Sequence, residues 1–141
     1  MSAALTRRLE AQFALYEDLA ATLGAETLAS HLGELRSNTI GEQLWCVVGG
    51  RESWAHAIPE GEWQGFACSL DEAHDPSRVA AALSASADEV RAVLDDSLAG
   101  ASEDQALGLL EHEAGHAGQL LRYVLGLELE VPPSWKAYFG V

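Results

Sequence analysis

Basic residues are scarce: eight Lys and Arg stand against 22 Asp and Glu in 141 residues, a formal net charge of −14. A surface this negative repels phosphate backbones and anionic headgroups, which argues against nucleic-acid or membrane binding through a basic patch. Cysteine is nearly absent. Cys46 and Cys68 are too few for a disulfide framework, and reduced thiols in a cytoplasmic protein are the expectation. No apolar run reaches the ~18–20 residues of a membrane span. The opening stretch, MSAALTRRLEAQF, carries Arg7 and Arg8 inside an amphipathic pattern and lacks the apolar core of a signal peptide. Repeats and low-complexity linkers are missing as well. What remains is an ordinary globular composition, 48% apolar and 21% charged, of a length suited to one domain over residues 1–141.

The apolar residues recur at three and four. Leu5, Leu9, Phe13, Tyr16, Leu19 and Leu23 predict a first helix from about Ala4 to Leu23, with Leu28, Leu32 and Leu35 continuing it for a turn or two beyond Gly24. Thr39 with Glu42 fits a capping box that opens a second helix, carried by Ile40, Leu44, Val47, Trp54 and Ile58 to Pro59. Its Gly49-Gly50 pair costs about 1 kcal/mol per glycine unless close packing needs the space. From Pro59 to His74 no period is sustained, and Trp63, Phe66 and Leu70 are expected to tuck down onto the helices. Asp75-Pro76 is a helix start, and Val79, Leu83, Val90, Val93 and Leu94 predict a third helix ending near Leu98. Ser102 with Gln105 suggests the cap of a last helix that runs to Gly126 as its C′ residue. The tail holds Pro132-Pro133 and cannot extend that helix; Trp135, Tyr138 and Phe139 are expected to pack back. No alternating run flanked by hairpin signals suggests a strand. The prediction is all-α, a four-helix bundle with a long connection between the second and third helices.

The last helix contains Glu111-His112-Glu113-Ala114-Gly115-His116. Histidines four apart lie ~40° from each other on one face, so both imidazoles can reach a single transition-metal ion. They share that side with Leu109, Leu120 and Tyr123. Leu107, Leu110, Ala114, Leu121 and Leu125 form a second apolar stripe, roughly opposite. A helix apolar on two sides is buried on two sides. The histidine face is placed inward, and the other surface faces a second subunit, the long connection or the tail. The alternative is a pair of neutral, hydrogen-bonded core histidines. HEAGH also matches the HExxH of zinc proteases, but no third ligand follows on the remaining chain and no strand walls a cleft.

The stretch His112-Glu113-Ala114-Gly115-His116-Ala117-Gly118-Gln119-Leu120-Leu121-Arg122-Tyr123 resembles the last-helix signature of the DinB/YfiT-like superfamily. Pro132-Pro133-Ser134-Trp135 is similar to that family's ending, and Asn38-Thr39-Ile40-Gly41-Glu42-Gln43-Leu44 to the start of its second helix. The resemblance implies a four-helix bundle, commonly a homodimer, in which a divalent metal, zinc or nickel, is held by three histidines. Two of these match His112 and His116. The third, on the second helix, falls at Cys46 when counted from Ile40. A thiolate is a good zinc ligand, so a Cys/His/His site with an open position is sensible chemistry; in the opposite reading Cys46 is a small buried hydrophobe and the site is degenerate. Glu113 and Tyr123 would be outer-shell groups. His31, His56 and His74 read as surface or loop residues, although His56 could replace Cys46 were the helix kinked at Gly49-Gly50. Cys68 reads as an unpaired structural thiol.

By resemblance, the implied activity is that of a metal-dependent transferase or isomerase using a low-molecular-weight thiol; the same open position could activate water. The net charge does not encourage an anionic thiol. Two other classes stay open: a metal-free, stress-related or small-ligand-binding bundle with a degenerate site, and a structural dimer.

Overall fold

The structure, a computed structural model, describes residues 1–141 and is all-helical. Four long helices form: α1 (Ala3–Ala20), α3 (Ile40–Glu60), α4 (Pro76–Val93) and α5 (Ala101–Gly126). Two short ones accompany them, α2 (Ala25–Leu28) and α6 (Pro133–Phe139). α3 packs on α4 and α5, and α1 closes the other side against the same two. No helix is long and apolar enough to cross a membrane.

Where cap chemistry is local, the helices begin as the sequence predicts. Thr39 and Glu42 form both halves of a capping box, Thr39 N–H to Glu42 Oε2 at 2.7 Å and Glu42 N–H to Thr39 Oγ1 at 3.1 Å. Asp75 caps α4, accepting from the backbone N–H groups of Ser77 and Arg78 ahead of Pro76. The other ends move. α1 stops at Ala20, although Leu23 stays buried, and Leu35 is 68% exposed, outside the helical pattern that Leu28 begins. α4 stops at Val93, not Leu98, because Asp95 turns its carboxylate onto the N–H of Ser97 (2.6 Å) and offers the backbone a tight turn instead. α5 starts at Ala101 after Gly100 at φ +59°, so Ser102 lies inside the helix and caps nothing. Gly126 is the last helical residue and not the C′ position. Glu128, at φ +54°, takes that role: its N–H donates to Leu125 O while Leu129 N–H donates to Val124 O, the two bonds of a Schellman ending.

The core divides into two clusters. One gathers Tyr16, Leu44, Leu83, Leu120 and Trp135; the other gathers Leu9, Phe13, Ile58, Val90 and Leu109. The tail packs back as expected through Trp135, which is buried and donates its indole N–H to Leu15 O (2.7 Å). The long connection tucks down only at Leu70. Trp63 and Phe66 stay half-exposed, resting on Trp54 and Trp45 with ring centroids 4.7 and 5.2 Å apart. On α5 the histidine side faces inward with Leu109, Leu120 and Tyr123, whereas Leu107 and Leu125 of the opposite stripe remain largely exposed.

Candidate metal centre

The facing sides of α3 and α5 build the site. Gln43, Cys46, Gly50 and Trp54 recur at three and four residues and so form one stripe on α3. α5 runs antiparallel against it, and contacts pair off in order. Gly108 meets Trp54, His112 meets Gly50 and Trp54, and His116 meets Gln43. Cys46, His112 and His116 converge at the middle, each offering a ligand atom within 4.8 Å of the other two. A tetrahedral zinc with bonds of about 2.0–2.3 Å spaces its ligands roughly 3.3–3.7 Å apart, so this set is wider than a closed zinc site by at most about 1.5 Å. The imidazole rings lie edge to face with centroids 4.5 Å apart.

Each imidazole is held from behind. His116 Nδ1 lies 2.6 Å from Oε1 of the buried Gln43; a carbonyl oxygen only accepts, so Nδ1 donates and the lone pair sits on Nε2. His112 Nε2 approaches the backbone carbonyl of Cys46 at 3.2 Å, and Trp54 tilts against the ring with centroids 5.1 Å apart. Gly50 makes room for it. A Cβ at that position would stand 2.5 Å from His112 Nε2 and 2.7 Å from Cδ2. Gly49 is needed for the other side, where a Cβ would run into the Phe66 ring and Cys68. The glycine pair therefore exchanges helix propensity for two close approaches.

Burial, reinforced by the neighbouring His112, pushes the His116 pKa down to about 4, so this imidazole is neutral at physiological pH and keeps a lone pair for a cation. Burial raises the Cys46 thiol, which is protonated until something displaces the proton. The donor set of sulfur and two nitrogens suits a borderline-soft divalent ion such as zinc or nickel and leaves a coordination position free.

Glu113 and Tyr123 point elsewhere. Both Glu113 oxygens accept from Arg51, Oε1 from Nε at 2.6 Å and Oε2 from Nη2 at 2.9 Å, and the two side chains are fully buried. Arg51 also donates to Leu83 O (2.9 Å) and lies over the rings of Phe13 and Tyr16, one from each core cluster. Tyr16 in turn donates to the Glu113 carbonyl, and its own hydroxyl pKa is driven well above normal by burial and then by the Glu113 charge. Tyr123 donates to Asn38 O at 2.7 Å, tying the end of α5 to the approach of α3. Of the remaining candidates, His56 is exposed, His74 contacts Thr39 Oγ1 at the α3 cap, and His31 contacts Ser37 O. Both cysteines are free, and Cys68 donates to Trp45 O at 3.3 Å without joining the cluster.

Gln43 and Arg51 are the site residues that the sequence reading missed in these roles. The only available signal for Gln43 was its spacing with Cys46 and Gly50. Comparison with family models, with curated proteins and with solved structures finds no match for this chain.

Proposed function

We propose that this chain is a divalent-metal-binding protein of the DinB-like four-helix-bundle type, with Cys46, His112 and His116 as ligands of zinc or nickel. The observation that supports it is the convergence of one thiol and two imidazoles from facing helices, His116 oriented by Gln43. We further propose a metal-dependent enzyme acting on a small substrate with a low-molecular-weight thiol, working as a homodimer. A divalent ion with an open position lowers the pKa of a thiol or water bound there and makes the anion available at neutral pH. The chain's own part is positional. Gln43 fixes the tautomer of His116, Gly50 seats His112, Trp54 packs against that ring, and Cys46 surrenders its proton to solvent when a cation takes its sulfur.

Elemental analysis of the purified protein beside Cys46→Ala and His116→Ala tests this. The expected result is close to one zinc or nickel per chain in the wild type and its loss, or at least a tenfold weaker affinity, in both variants. A wild type that takes up no divalent ion at micromolar concentrations sinks the metal reading and leaves the metal-free ligand-binding bundle in its place.

A further inference from the structure

A cleft of about 750 Å³ opens beside the candidate centre, between the first turns of α3 and the connection around Leu70–Ala73. Cys46 is part of its wall, so the cleft borders the residue that offers sulfur to the cluster. Trp45 and Leu70 supply apolar surface, and Glu42 and Asp71 supply carboxylates. No arginine or lysine lines the cleft.

The charges decide what fits. The start of α3 would ordinarily attract anions, but most of its N–H groups are engaged: Glu42 Oε2 takes the Thr39 N–H, Ser30 O the Ile40 N–H and Thr39 Oγ1 the Glu42 N–H. The carboxylate of Glu42 thus cancels the positive helix end from within. Asp71 has one basic partner, Arg78 at 2.9 Å, in a pair whose side chains are 55% and 72% exposed and therefore screened by solvent. The basic side of the lining is His31 alone, its Nδ1 spent on Ser37 O. The indole of Trp45, 38% exposed, offers a face that attracts cations. All of this sits in the field of a chain carrying −14.

We infer that the cleft at Cys46 selects thiols bearing an ammonium group and rejects those bearing a carboxylate. The inference rests on the metal reading given under Proposed function, with the thiol sulfur taking the open position, its proton passing to solvent, and its positive end lying toward Glu42, Asp71 and Trp45.

The experiment loads the full-length protein with cobalt(II) and titrates it with cysteamine, mercaptoethanol and mercaptoacetate at low and high salt. Sulfur-to-cobalt charge-transfer absorption reports binding. Wild type is compared with Glu42→Gln, which can still cap the helix, and with Asp71→Asn. Dividing each variant's preference by that of the wild type cancels the intrinsic acidities of the thiols. Cysteamine is expected to outbind mercaptoacetate by about fivefold at low salt, the worth of one charge pair about 4 Å apart in water. The preference should shrink several-fold in each variant and in high salt. A preference that both variants leave unchanged, or mercaptoacetate binding as tightly as cysteamine, overturns the inference while the metal reading stands. Absence of cobalt absorption before any thiol is added overturns the metal reading, and this inference with it.

Discussion

Gly50 carries more of the candidate site than its size suggests. His112 lies against its α-carbon, so Gly50→Ala forces the imidazole away from Cys46 even though alanine is the better helix former. Isothermal titration with zinc should show affinity lowered by at least tenfold, with helical content unchanged. Gly115, a glycine of α5 open to solvent, is the control: a Cβ there meets nothing within 4 Å. Gly115→Ala should leave zinc affinity alone and raise stability by about 0.5–1 kcal/mol, read from the urea midpoint. His116 makes the second residue-scale prediction. Its folded pKa of about 4 lies below the ordinary 6.5, so the unfolded chain binds the extra proton between those values. Stability of the metal-free protein is therefore fully present above pH 6.5 and is lost as pH falls toward 4. Urea midpoints at pH 7 and pH 5 should differ in that direction, and His116→Gln should reduce the difference. The lowered carboxyls of Glu10, Glu42, Asp75 and Asp95 act mainly below this window, since their ordinary values are 4.5 and 3.8.

Between elements, the decisive contact is Arg51 with Glu113. Gly50 and Arg51 are consecutive on α3, as His112 and Glu113 are on α5, so the ion pair fixes the register in which the imidazole finds its glycine. Removing one buried partner leaves an uncompensated charge, and Arg51→Met should cost about 3–5 kcal/mol. The double variant Arg51→Met/Glu113→Leu should recover much of that, because two apolar side chains replace two ions. Zinc affinity separates register from mere stability. It should stay impaired in the double variant after folding is restored, and wild-type affinity there would remove Arg51 and Glu113 from the account. Elements were legible in the sequence to the extent that their signals were local. The capping box at Thr39 and the Asp75-Pro76 start work within four residues, and the histidine pair is visible from its spacing alone. The ends at Val93, Gly100 and Glu128 depend on turn geometry that competes with the helix, and no periodicity reports that competition. Cys46 entered through a resemblance, and the partner of Glu113 was invisible because it lies 62 positions away along the chain.

At the scale of the whole molecule, the outer side of α5 leaves an apolar surface without cover. Leu107 and Leu125 are 45% and 44% exposed on the outer side of α5, with Ala114 and Gly118 between them. Two copies of α5 crossing antiparallel near Ala114 and Gly118 would set Leu107 of one copy against Leu125 of the other, and Glu111 beside Arg122. The proposed homodimer would use this face. Sedimentation velocity at tens of micromolar should find a dimer that tightens with added salt, as repulsion between two chains of −14 is screened. Leu107→Glu/Leu125→Glu should sediment as a monomer with unchanged circular dichroism, and a wild type already monomeric under these conditions dismisses the arrangement.

The indole tilted against His112 has a spectroscopic consequence. Trp54 touches one candidate ligand and a second indole, Trp63, at the same time. An open-shell ion such as nickel or cobalt seated there would drain its excited state, whereas closed-shell zinc would only shift its emission. Trp54 emission would thus distinguish, without any label, which ion occupies the candidate cluster.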